Sequence, residues 1–147
     1  MEIRSVDIVR PVLQRLHGDW DSRRRGRRFP ARADFDPLDL KYVLGYLSLV
    51  EVRREPPHFR YRLHASNLAA RLGLDLTGKS IESIPSAEQR DHARRHYAEV
   101  VGLGAPIAYP RRLLLRDDDF IDAEALVLPL AADGSHIDML MSALVWC

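Results

Sequence analysis

The run from His136 to Trp146 constrains the chain most, because read as a strand it is apolar on both faces. Ile137, Met139, Met141, Ala143 and Val145 fall on one side of a period-two pattern, and Leu140, Leu144 and Trp146 fall on the other. A strand with two apolar faces belongs inside a sheet that is covered on both sides. The preceding runs, Ile107 to Arg116 and Phe120 to Ala131, also read as strands; Asp117-Asp118-Asp119 joins them, and an Asp133-Gly134 turn leads into the last one. Sequential hairpins of this kind make an antiparallel meander.

Further upstream, Tyr46 to Arg53 and Phe59 to His64 suit two more strands, separated by the breaker Glu55-Pro56-Pro57-His58. Val9, Val12, Leu13, Leu16 and Trp20 recur at helical spacing, which predicts an amphipathic helix over roughly Asp7 to Arg25, with Pro11 in its first turn and Gly26 as its stop. Asp36-Pro37-Leu38-Asp39 reads as an N-cap, a proline and a first-turn acid, opening a short helix that Gly45 ends. Between the second and third strands, a helix runs through Leu68 and Leu72 to Gly73. Ser86 and Gln89 then have capping-box spacing ahead of a longer helix that buries Ala93, Tyr97, Val100 and Val101.

This order of elements predicts an α+β domain: a five-stranded antiparallel sheet with helices on one face and an extra N-terminal helix. The helices from Ser66 to Leu103 are expected on the inner face. The outer face needs the N-terminal helix or a second subunit.

A chain of 147 residues can bury one real core, and a composition of 46% hydrophobic and 29% charged residues is that of a globular domain. The single cysteine, Cys147, rules out an intramolecular disulfide. No apolar run approaches the roughly 20 residues that span a bilayer. The expected setting is therefore soluble and cytoplasmic, with no membrane partner. With 22 basic and 21 acidic residues there is no global field to draw in nucleic acid. The local exception, Arg23 to Arg28, reads as a solvated helix end, because a nucleic-acid face would interleave aromatic residues and only Phe29 is near.

No catalytic residue is assigned. His92 and His96 have chelating i, i+4 spacing, but Ala93 stands where a zincin helix has Glu and no third ligand presents itself, so no metal site is expected. Asp117, Asp118, Asp119, Asp122 and Glu124 read as a solvated hairpin tip without the glycine of an EF-hand loop. Glu51 and Asp138 are the strand acids that an α+β isomerase or hydrolase would use, and both read as facing outward. Cys147, at a terminus, is a poor nucleophile. What remains is apolar lining with a few polar groups. Tyr61, Leu63, Leu126, Leu128, Met139 and Met141, with Asn67 on the adjacent helix, are expected to line a small-molecule pocket or simply to pack a solid core. Val9, Leu13, Leu16 and Trp20 are expected at a homodimer interface.

The order of elements resembles that of PAS domains, and local phrases agree. Leu76-Thr77-Gly78-Lys79-Ser80-Ile81-Glu82-Ser83-Ile84 is similar to the PAS turn that leads into a short helix. Pro85-Ser86-Ala87-Glu88-Gln89-Arg90 resembles the acidic start of the long connecting helix, reduced here to Glu88. Trp20, the run Arg25 to Arg32, Asp34 to Leu40, Phe59 to Leu63, Asp75 to Gly78, Leu128-Pro129-Leu130 and Asp133-Gly134 resemble short bacterial proteins made of one PAS domain with an N-terminal helical extension. The implied division is residues 1–35 for the extension and linker and 36–147 for the PAS-like domain. One departure is Ala65-Ser66, in place of a Gly-Thr pair at the pocket mouth. The resemblance implies a sensory module that binds a small, mostly apolar ligand and relays in trans to a signalling partner protein, since no effector segment is attached. It does not name a cofactor: PAS domains bind haem, flavin, organic ligands or partners alone. A flavin photoreceptor would need an internal cysteine. A small cone-shaped enzyme and an interaction domain without ligand remain the alternatives.

Overall fold

The structure, a computed structural model, describes residues 7–53 and 58–146. The expected turn at Glu55-Pro56-Pro57 and the terminal Cys147 lie outside them. The elements are α1 (Pro11–Arg23), β1 (Leu47–Arg53), β2 (His58–Leu63), α2 (Ser66–Leu72), α3 (Ala87–Leu103), β3 (Ile107–Leu114), β4 (Phe120–Leu130) and β5 (Met139–Val145), with short 3-10 turns between α1 and β1 and before α3. The sheet order is β2-β1-β5-β4-β3, with every neighbouring pair antiparallel. The strand with two apolar faces, β5, is the central one. No helix among the described residues is long and apolar enough to cross a membrane.

α1 begins at Pro11, later than the apolar spacing predicts. Proline suits the first helical position because it has no N–H to leave unpaired. The donors just before it are met from far along the chain: Glu124 on β4 accepts from the Val9 N–H at 2.8 Å and the Arg10 N–H at 2.9 Å. A carboxylate there also complements the positive end of the helix dipole. This corrects the reading of Glu124 as part of a solvated hairpin tip. It is buried, while Asp117, Asp118, Asp119 and Asp122 are exposed as expected.

α1 lies on the outer face of its own sheet. Leu13, Leu16 and Trp20 are buried there with Leu126, Leu128, Met141 and Ala143, and the Trp20 indole N–H donates to the Pro129 carbonyl at 2.8 Å. Each fully buried leucine contributes roughly 1.5–3 kcal/mol. Three of the four residues expected at a dimer interface are thus core residues of one chain. Val9, at 82% exposure, is the exception.

Arg25 and Gly26 both take positive φ and reverse the chain after α1. The arginine run is then tied inward. Arg27 donates to the carbonyls of Arg23 and Arg24, each at 2.9 Å, and pairs with Asp34 at 2.6 Å, while Arg28 lies over the buried Phe29 ring. The Phe29 N–H donates to the Gly134 carbonyl, and the Ala131 N–H to that of Pro30, which fixes the linker to the β4–β5 turn.

Both sheet edges are interrupted. On β2, Tyr61 exchanges backbone hydrogen bonds with Lys79 and Gly78, so the Gly78–Ser80 turn covers part of the edge. On β3, Pro110 removes one donor from the row.

Candidate ligand site

The inner face of the sheet is covered by α2, α3 and the segment between them. Val50, Phe59, Tyr61, Tyr97, Val100 and Leu140 pack solidly at one end. Toward the other end Ser48, Ala125 and Ser142 put small side chains on the sheet, beside the larger Tyr109, Leu113 and Leu144. Ser48 stands opposite Ser142, and Ala125 opposite Leu144. The short side chains do not reach α2 and α3, and a cavity of about 380 Å³ remains between the layers. Leu68 and Leu72 of α2, Leu74 and Leu76 beyond it, and Leu113 of β3 give it apolar walls.

Its polar groups are few and placed by the fold. The hydroxyls of Tyr61 and Tyr97 meet at 3.0 Å, and burial, together with Tyr97, raises the Tyr61 phenol well above its ordinary range. His64 is buried with Nδ1 accepting the Leu76 N–H at 3.2 Å, and burial lowers its pKa. Ser48 Oγ accepts the Ala65 N–H at 2.9 Å, which fixes the start of α2 at the Ala65-Ser66 departure noted above.

Arg111 of β3 also lines the cavity. Its Nη2 donates to Gln89 Oε1 at 2.6 Å, and its Nη1 lies 2.8 Å from His92 Nδ1. Ser86 caps α3 by accepting the Gln89 N–H, as its spacing predicts. The Gln89 side chain, however, turns to Arg111. His92 and His96 are half-buried rather than on the open surface, and His96 stacks on Tyr109 with ring centroids 3.8 Å apart. Burial first, and the Arg111 cation second, lower the His92 pKa from 6.5 to about 4. No group of three or more His, Cys, Asp or Glu suited to a metal occurs among the described residues.

Of the residues expected to line the pocket, Tyr61 does so. Leu126, Leu128, Met139 and Met141 lie on the opposite face, beneath α1. Leu63 is separated from Tyr61 by a bulge: Val50 pairs with Tyr61 but Leu49 with Leu63, so one extra residue turns Leu63 to the outer side. There Leu63 and Met141 line a second hollow of about 380 Å³ with Phe35, Leu40, Leu44 and Leu47. Asn67 is exposed, and its amide packs against Gly45. Large residues signal the face that α1 fills, while the cavity follows the small ones, Ser48, Ala125 and Ser142. Glu51 and Asp138 do not line the cavity; Asp138 is exposed and accepts the Ala132 N–H at 3.0 Å.

A family model described as a PAS domain matches residues 9–145. No curated protein matches the chain. Among solved structures, a LOV protein of Rhodobacter sphaeroides superposes with a TM-score of 0.54 at 14% identity, covering 76% of this chain and 68% of that one. The sensory box sensor histidine kinase of Vibrio cholerae gives 0.51 at 16% identity, covering 74% and 89%. The PAS domain of a Colwellia psychrerythraea protein gives 0.51 at 10% identity, covering 76% and 98%. At these identities the likeness is one of fold.

Proposed function

As this chain belongs to the PAS domain family, whose members are sensory signalling modules, we propose that it binds a small, mostly apolar ligand between the sheet and α2–α3. The bound state then passes in trans to a partner protein. The observation that carries this reading is the cavity of about 380 Å³, whose size and apolar walls are those of a small-molecule site. Among the described residues its lining includes no aspartate or glutamate, and its one histidine, His64, is engaged in accepting the Leu76 N–H, which favours a binding site over an isomerase or hydrolase built on a buried acid or base.

β4 supplies a path for the relay. Ala125 faces the cavity, and its neighbour Glu124 holds the start of α1 on the other side of the sheet. A ligand that displaces β4 alters the seat of α1. With Leu13, Leu16 and Trp20 packed on their own sheet, the homodimer proposed for this chain uses another surface.

Native mass spectrometry of freshly purified protein, with an absorption spectrum, tests the reading. The expected result is an added small-molecule mass that disappears in Ser142→Phe, a substitution that fills the cavity from its floor. Visible absorption would identify haem or flavin as the occupant. Protein that carries nothing, and takes up nothing from an apolar compound library, would leave a pure interaction domain.

A further inference from the structure

The cavity has an electrostatic bias that its apolar walls conceal. Arg111 and Arg116 line it, and no carboxylate among the described residues does. Among the described residues Arg111 forms no ion pair: the partners of its terminal nitrogens are Gln89, a neutral amide, and the His92 ring nitrogen, and the Tyr109 hydroxyl lies beside the guanidinium as a further neutral partner. Since a guanidinium only donates, His92 Nδ1 must accept here, which requires the neutral imidazole. The low His92 pKa agrees. Arg111 Nε is buried with no hydrogen-bond partner among the described residues. A half-buried cation held by neutral groups, with donor capacity left over, is incomplete without an anion.

We infer that the ligand is a carboxylate-headed amphiphile, its head against Arg111 and its apolar body along Leu68, Leu72 and Leu144. The inference rests on the ligand-binding reading above and adds the chemical class. Gln89 and His92 then act as positioning residues that hold the guanidinium in place. A charge-assisted pair in a cavity with apolar walls discriminates against a neutral head of the same size.

Calorimetric titration at pH 7.5 with decanoate, decanol, 4-phenylbutyrate and 4-phenylbutanol tests this. At least one acid should bind about tenfold or more tighter than its alcohol. Arg111→Gln should abolish that preference, Arg111→Lys should keep part of it, and Arg112→Gln, on the exposed side of the same strand, should leave it intact. Thermal melts of each variant establish that it is folded, and the comparison of acid with alcohol on the unaltered protein needs no variant. Equal binding of acid and alcohol would overturn the inference and leave the ligand-binding reading standing. Failure of all four compounds, with no copurified mass, would overturn both.

Discussion

The indole N–H of Trp20 reaches the backbone carbonyl of Pro129 at 2.8 Å, joining α1 to β4 within one chain. Leu16→Ala should therefore cost about 2–5 kcal/mol of stability, and Trp20→Phe about 1 kcal/mol from the lost hydrogen bond. Because the contact is internal, the loss should not depend on protein concentration. Urea denaturation at two concentrations a hundredfold apart checks this. A midpoint that moves with concentration would place α1 on a second copy instead.

Glu124 is predicted to be the strongest single determinant of where α1 begins. Glu124→Gln keeps one acceptor but loses the charge, and Glu124→Ala loses both hydrogen bonds, for about 1–2 kcal/mol. Amide hydrogen exchange should accelerate at residues 9–14 and stay slow at the Trp20 end of the helix. Uniform acceleration along α1 would argue against a local cap.

The two faces of the sheet should respond differently to substitution. Ala125→Phe, like Ser142→Phe, should remove ligand uptake while leaving the α1 side packed. Leu128→Ala should cost about 2–5 kcal/mol with little change in which ligand is bound. Titration and denaturation of the same three variants separate the effects, and loss of binding in Leu128→Ala alone would contradict the placement of the cavity.

Histidine burial sets the pH dependence. His64, His92 and His96 all have lowered pKa values in the folded state, chiefly from burial. Between pH 6.5 and about 4, the unfolded chain binds a proton at position 92 that the folded chain refuses. Stability from this source is full above pH 6.5 and falls as the pH is lowered through that window. The carboxylates held below 3.8, such as Asp34 and Asp75, act only at lower pH. His92→Gln should flatten the slope of denaturation midpoint against pH across the histidine window, and an unchanged slope would mean that the ring is protonated in the folded protein.

The order of elements and the caps were legible in the sequence because they depend on local chemistry. Asp36, Gly73 and Ser86 each do what their residue type predicts at that spacing, whereas Gly45, expected to end a helix, lies inside the 3-10 turn Leu44–Tyr46. The candidate site was only partly legible. Period two identifies which residues share a face, but not which face meets which helices. Leu126, Leu128 and Met141 are large because α1 must be packed, and their size reads equally well as ligand lining. Leu63 was lost to a bulge that no residue at that point announces. The tasks of Glu124 and Gln89 are set by groups 114 and 22 residues away, which spacing along the chain does not reveal.

The interrupted edges of the sheet limit how another protein can approach. Strand addition needs a continuous row of free donors and acceptors. Here the Gly78–Ser80 turn takes up part of one row, and Pro110 breaks the other, beside the charged Arg111 and Arg112. A partner gains little by extending this sheet. Recognition has to be read from side chains on the helices and turns, where a single substitution changes specificity, rather than from backbone pairing, which tolerates almost any sequence.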